Sequence, residues 1–473
     1  MDRTTAILGT LAAYQIALLA MGILARRRTR DAAGFYLGGR TLGPWVAALA
    51  ANASSSSAWS LLGVSGFAYA NGLAALWLLP GCLFGFALNY FLVAPRVRND
   101  PALTLTELLA GPGSSRARTA FVAFASVLTL ASLLAYVSSQ MRGAGDTFLF
   151  VFDLPTERRW LGILVGAAVV VAYVFLGGYL AASITDTLQA VLMVLVAFVL
   201  PIAGVVSAGG PAALLRALEA SPGAMDLFAG RSGGPAAGFA LGLLGIGLGY
   251  PGQPHAVNKY MGMRADASMA VARAVGLSWA AILYSGMILA GLAARVLVSM
   301  PAGQHENAIY ALAEATLPEL ASGLVVAAVL AAMMSTVDAM LLVCASSVTH
   351  DLGRRGEGPA MLRRARLTVL AISAGAVGAA MVVEQSIFRY VMFAWSVLGS
   401  AFGPPLVARI LLGPVPAPWL LASSVSGAAI ALAGSFATLL ASGFDERVLA
   451  WFVAFSIAGA GSLRSAAARS AKR

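Results

Sequence analysis

Cysteine, histidine and charge are all scarce in this chain, and each scarcity excludes something. The two cysteines, Cys82 and Cys344, stand far apart inside apolar runs, which argues against a disulfide framework and a Cys/His metal cluster and leaves both as core residues. The three histidines, His255, His305 and His350, fall at the ends of predicted helices or in loops with no ligand spacing between them, so each is expected to be structural or solvated. Charged residues make up 11% of the 473, against 59% that are hydrophobic. A soluble chain of that length would divide into domains, but here apolar runs recur from end to end. The bilayer is the solvent, and one all-α membrane bundle over residues 1–473 is expected, with no extramembrane domain.

The runs predict thirteen spans, near 5–25, 43–68, 75–94, 119–145, 160–177, 183–206, 234–254, 274–298, 319–348, 367–383, 390–412, 418–440 and 447–463. The first is followed by RRRTR and carries no small-residue cleavage site, so it reads as a retained helix and not a signal peptide. A net charge of +11 would suit nucleic acid, but arginine placement explains it better. With the N-terminus outside, the Arg26 to Arg30 cluster, the Arg354 to Arg366 cluster and the tail from Arg464 to Arg473 all fall on the cytoplasmic side, as the positive-inside rule requires. The expected partners are lipid and a small solute, not nucleic acid, and the expected location is a bacterial inner membrane.

Two spans make poor helices. The second contains ANASSSSAWSLLG (51–63), where Asn52 and the run Ser54 to Ser57 offer side-chain hydrogen bonds that compete with the backbone. The seventh contains GLLGIGLGYPGQP (242–254), with five glycines and two prolines in thirteen residues, enough to interrupt a helix. Unwound backbone at bilayer depth survives only where it is buried in protein or lines a cavity, and there its carbonyls can hold a cation while half-helix N-termini face an anionic group. The plainer alternative is that Ser and Gly merely allow close helix packing. Interruptions five spans apart suggest two five-helix inverted repeats, 43–206 and 234–412, with an N-terminal extra helix (1–30) and C-terminal helices and a basic tail (418–473).

In AAMMSTVDAMLLVCASS (331–347), Ser335, Thr336 and Asp338 lie inside an apolar span. An ionisable group there usually faces the protein interior or an aqueous path and binds or moves something, so the chain reads as a transporter.

Several stretches, ordered along nearly the whole chain, resemble the sodium:solute symporter family and within it the sodium/proline symporters: YLGGRTLGPW (36–45), ASSSSAWSLLG (53–63), TLTELL (104–109), FLGGYLAASITDTLQA (175–190), GLGYPGQPH (247–255), AAMMST (331–336), LLVCASSVTHDL (341–352) and WSVLGSAFGPP (395–405). The resemblance implies a LeuT-like five-plus-five inverted repeat, alternating access, and import of a small solute, proline, with sodium as the coupling ion and no other cofactor. It implies sodium ligation by the carbonyls of Ala53, Ser56 and Ala332 and the hydroxyls of Ser335 and Thr336. Five neutral oxygens suit a hard monovalent cation better than a divalent one. The local alternative for the two hydroxyls is back-bonding to the preceding turn. The implied solute pocket is Trp59, Tyr136, Ile246, Tyr250, Gln253 and Pro254, aromatic faces for a pyrrolidine ring with broken helices for its carboxylate and amine.

The chain departs from the proline symporters in having Ser55 in place of an aspartate, Ser56 in place of a methionine and Ile246 in place of a tryptophan. Asp338 departs from the serine that many of them carry. Asp186 matches an acid found in much of the family, and with Asp338 it forms a candidate second cation site. Their alternatives are a helix-start residue complementing the dipole and a helix-packing hydrogen bond. Arg142, also inside a span, either pairs with an acid or snorkels. Other readings are symport of another small amino acid or a carboxylate, with sodium or protons, and a solute sensor, for which the short basic tail supplies no signalling module. An intramembrane hydrolase is disfavoured, since the histidines are placed at ends or in loops and Lys259 in a basic cytoplasmic loop, leaving no base for a serine.

Overall fold

The computed structural model describes residues 3–26, 32–353, 359–382, 387–436 and 446–470. Arg27, Arg28, Arg30, Arg354, Arg355 and Arg473, which carry part of the expected charge asymmetry, lie outside them. Among the described residues there are helices and no strand, apart from one isolated parallel bridge between Leu42 and Met263.

Helices α1 (Arg3–Arg26) and α2 (Ala32–Leu37) precede α3 (Pro44–Ser55), which is followed after a break by a π-helical turn (Trp59–Gly63) and α4 (Val64–Asn71). Then come α5 (Leu78–Leu88), α6 (Ala94–Val97), α7 (Leu105–Ala110), the long α8 (Arg116–Val151) and α9 (Arg159–Ser207), and α10 (Pro211–Ala220). The second half runs through α11 (Gly233–Gly245), a 3-10 stretch (Ile246–Gly252), α12 (Pro254–Met261), α13 (Met269–Leu297), α14 (Ala308–Thr316) and α15 (Glu319–Ser346). It ends with α16 (Pro359–Val382), α17 (Ile387–Leu412), α18 (Ala417–Phe436) and α19 (Glu446–Ser470).

Among the described residues, 10 helical runs are long and apolar enough to cross a membrane. They differ from the thirteen expected spans where helices break or merge. Helix α3 stops after 12 residues, the run after it continues from Trp59 to Val97, and the apolar stretches Ile7–Leu18 and Arg159–Ala168 are short. The spans expected at 160–177 and 183–206 are two helices, written together as α9, that meet at a kink at Gly178, whose φ of 62° and ψ of −162° only glycine adopts freely.

Both expected interruptions are present. In the first, the Ser54 and Ser55 hydroxyls donate back to the Ala51 carbonyl at 3.2 and 2.5 Å, and Ser56 leaves the helix at φ −120°, ψ 81°. In the second, the 3-10 stretch gives way to an extended Gln253 (φ −90°, ψ 104°) before Pro254 opens α12. The glycines there permit contact: a Cβ at Gly247 would strike the Gly81 carbonyl and one at Gly249 the Trp395 indole. Helix α3 packs against α9, α12, α13 and α15, and the 3-10 stretch against α5 and α17.

The entrance to α3 and the exit of α12 lie side by side. Leu42 N–H donates to Gly262 O at 3.2 Å and Arg264 N–H to Leu42 O at 3.0 Å, while the Arg40 guanidinium donates to the carbonyls of Arg98, Ala102 and Met261 at 3.1, 2.7 and 3.3 Å. The TLTELL stretch nearby opens α7 with a side-chain N-cap. Thr104 Oγ1 accepts from Glu107 N–H at 3.0 Å, Glu107 accepts from Leu103 N–H at 3.0 Å and meets His350 at 3.0 Å, and the Thr104 hydroxyl donates to Asp351 at 2.7 Å.

Candidate functional site

The first break and the middle of α15 meet in the core. Ser335, Thr336, Ala53, Ser56 and Ala332 are all fully buried. The Thr336 hydroxyl donates to Ala332 O at 3.0 Å and the Ser335 hydroxyl lies 3.2 Å from the same carbonyl, which is the local back-bonding geometry. The Ser335 hydroxyl also lies 3.2 Å from Ala53 O, and that contact is not local: it joins α15 to the end of α3 just before the chain unwinds. Ser56 is tied to the same carbonyl through its own N–H, 3.0 Å from Ala53 O. The structure thus brings together the residues predicted to hold sodium, and a cation bound among them would take the lone pairs that these hydroxyl protons now occupy.

The residues expected to form a solute pocket also converge, all of them buried. Trp59 lies 5.8 Å between ring centroids from Tyr284. Tyr250 packs against Phe86 at 4.6 Å and edge-on to Trp395 at 4.7 Å. Tyr136 comes in from α8, with its hydroxyl 3.1 Å from Ser57 Oγ and its ring edge-on to His255, and so touches both broken helices. Gln253 donates to Gly249 O and Trp395 O at 3.2 and 3.0 Å, which turns its amide N–H groups toward α17. The Ile246 carbonyl accepts from the Trp395 indole at 3.1 Å. A cleft lined by Gly249, Trp395, Ser396, Arg447 and Trp451 reaches this stretch from the side of α19.

Three residues absent from the predicted site complete it. The Tyr284 hydroxyl, from α13, stands 3.0 Å from Tyr250 Oη, 3.2 Å from Ser60 Oγ and 3.5 Å from Ser56 Oγ, so one phenol touches both broken helices. Gln140 Oε1 accepts from Ala58 N–H at 3.0 Å, satisfying an amide that the break frees. Trp395 caps Tyr250. WSVLGSAFGPP contains Trp395, but no sequence signal showed which way it faces; Tyr284 and Gln140 are lone polar groups in apolar runs.

One placement is corrected. Lys259 is not in a cytoplasmic loop. It lies on α12, 1% exposed, with Nζ 2.8 Å from Asp186 Oδ2. His255 stands at a helix end as expected, buried in the first turn of α12, and no hydrogen bond to either ring nitrogen is found among the described residues. An eight-residue helix followed by a polar turn gives no periodicity from which its burial could be read. Lys259 is thus engaged by an acid on α9 and does not face a serine run of the first break. Asp186 and Asp338 are both fully buried, on the packed helices α9 and α15, close enough to interact. Tyr14 of α1 accepts from Gln189 at 3.0 Å, one turn along α9 from Asp186. Arg142 pairs with Asp146 at 3.6 Å, one turn on, and Asp146 also holds Arg159 at 2.6 Å. Cys82 and Cys344 are buried free thiols.

Comparison with known proteins agrees with this architecture. The chain is 32% identical over 464 residues to the osmoregulated proline transporter OpuE of Bacillus subtilis (strain 168), covering 95% of this chain and 93% of that one. It is 30% identical to the sodium/proline symporter of Escherichia coli (strain K12), covering 90% and 87%. Among solved structures, a substrate-bound, outward-open Na+-coupled sialic acid symporter superimposes with a TM-score of 0.77 at 18% identity over 98% of both chains. MhsT in complex with L-phenylalanine does so with 0.55 at 14% identity, over 87% of this chain and 98% of that one; these likenesses give the LeuT-like fold. The family model described as the sodium:solute symporter family matches residues 35–427, and the chain belongs to that family.

Proposed function

We propose that this protein is a secondary active symporter that imports proline on an inward sodium gradient, with repeats at 43–206 and 234–412. The observation that carries the reading is the Ser335 hydroxyl facing Ala53 O across the first break. It places a hydroxyl and a carbonyl from two different helices within reach of one small cation. Sodium bound by Ala53, Ser56, Ala332, Ser335 and Thr336 would hold the end of α3 against α15. That fixes the first break and, through Tyr284, the Tyr250 side of the solute pocket. Binding of each ligand then favours the conformation the other needs, which is the thermodynamic content of coupling. Trp59, Tyr136 and Tyr250 present ring faces to an apolar pyrrolidine, and the unwound Gln253–Pro254 segment presents a helix N-terminus to its carboxylate. The indole missing at position 246 has a counterpart in Trp395, which reaches the same backbone from α17.

Uptake of labelled proline into proteoliposomes with and without an inward sodium gradient tests the reading. Accumulation above the external concentration is expected only with the gradient. Accumulation driven by protons alone, or strong competition by a different amino acid or a carboxylate with none by proline, favours the alternatives. Binding without flux would make the protein a sensor.

We further propose a bacterial inner-membrane location with the N-terminus outside, supported by the arginines described at one end of the bundle, among them Arg40, Arg98 and Arg264. A cysteine introduced in the C-terminal tail is expected to react with an impermeant thiol reagent only after the cells are opened, and labelling in intact cells would reverse the topology.

A further inference from the structure

A fully buried lysine demands an explanation, because an ammonium taken out of water is costly unless it is paired closely. Lys259 is 1% exposed and finds three partners on α9: Asp186 Oδ2 at 2.8 Å, Ser183 Oγ at 3.3 Å, and the face of Tyr179, whose centroid lies 4.9 Å from Nζ. A carboxylate, a hydroxyl and a ring face surround the ammonium. The Asp186 contact is an ion pair whose alignment falls short of a hydrogen bond, since neither carboxylate oxygen has a fully formed one among the described residues. The Tyr179 hydroxyl donates to Asn258 O at 2.8 Å, which fixes the backbone next to the lysine. Asp338, on α15, adjoins Asp186 and lies one helical turn from Ser335. Two buried carboxyl groups and the Ser183 hydroxyl are a donor set of the kind a second sodium ion would use.

We infer that Lys259 is a tethered cation: its ammonium occupies the place beside Asp186 and Asp338 that a second sodium would otherwise take, so this chain binds one sodium and not two. The inference rests on the sodium-symport reading. Ammonium and sodium carry the same charge, so one replaces the other without leaving the acids uncompensated, but they cannot share the site. A second unit charge about 4 Å from Nζ would be repelled strongly enough to weaken its binding ~1,000-fold at an effective dielectric near 20. The lysine belongs to α12, directly after the second break, whereas the acids belong to α9 and α15. A free ion would diffuse in and out of such a site, while this cation moves only as α12 moves.

The test is the number of sodium ions bound by the purified full-length protein, counted with radiolabelled sodium at saturation. The wild type is expected to bind one per chain. Lys259→Met, of similar length and without charge, is expected to bind two, and Lys259→Met combined with Asp186→Asn to return to one. Lys259→Gln, whose amide can still donate to Asp186, serves where the methionine variant does not fold, and two ions are expected there also. Two ions in the wild type, or one in a folded Lys259→Met or Lys259→Gln protein, would overturn the inference. No bound sodium in the wild type would instead overturn the symport reading beneath it. Adding Ser335→Ala to Lys259→Met separates the sites, since only the ion held by the acids should remain.

Discussion

Replacing Ser335 with alanine is expected to raise the sodium concentration for half-maximal uptake by ten-fold or more. The hydroxyl faces two carbonyls, Ala53 O and Ala332 O, each at 3.2 Å, and in the sodium-bound form it would give one of about five oxygens to the ion. Losing a polar partner to a charged group is worth about 1.5–3 kcal/mol, which corresponds to roughly a 10- to 150-fold weaker site. Thr336→Val, which keeps the shape and removes only the hydroxyl, should shift the sodium dependence in the same direction, and Thr336→Ser should stay near the wild type. Because coupling is reciprocal, the apparent Michaelis constant for solute should rise in both damaged variants at low sodium and recover as sodium approaches saturation. A sodium dependence unchanged in Ser335→Ala and Thr336→Val would place the coupling ion elsewhere or make it a proton.

Serine runs and clustered Gly and Pro act on the backbone locally, through back-bonding to Ala51 and the loss of donors around Gln253, so both breaks could be located from composition before any contact was known. Ser335 and Thr336 were legible as hydroxyls out of place in an apolar span. Their partner Ala53 was not, because nothing about an alanine announces that its carbonyl will lose its ordinary helical partner when the chain unwinds three residues later, at Ser56; the family resemblance supplied it. Tyr284 and Gln140 escaped for a related reason. A span that is apolar all round gives no direction to a lone polar side chain, and only the packing of α13 and α8 turns these two toward the breaks. Lys259 was misplaced since its burial depends on an acid on another helix. A basic residue beside a polar turn looks solvated until that acid is found next to it.

The tyrosine that sequence reasoning missed gives the solute pocket its sharpest test, through a comparison with Trp59. Trp59→Ala removes a large ring face from the pocket, and truncating a buried aromatic at the centre of a recognition site typically weakens binding by about 2–3 kcal/mol, or roughly 30- to 150-fold. The Michaelis constant for solute should rise accordingly, with the sodium dependence at saturating solute little changed, because no Trp59 atom belongs to the proposed cation ligands. Tyr284→Phe keeps the ring beside Trp59 and deletes only the hydroxyl shared among Tyr250, Ser60 and Ser56. Since that hydroxyl touches both breaks, its loss should shift the solute constant and the sodium constant together, by several-fold each, with the amount of protein in the membrane unchanged. If Trp59→Ala lowers abundance and leaves solute affinity intact, the indole is a core residue and the pocket lies elsewhere. If Tyr284→Phe moves only one of the two constants, the phenol packs against one broken helix and the coupling between the sites must run through α15 and Ala53 instead.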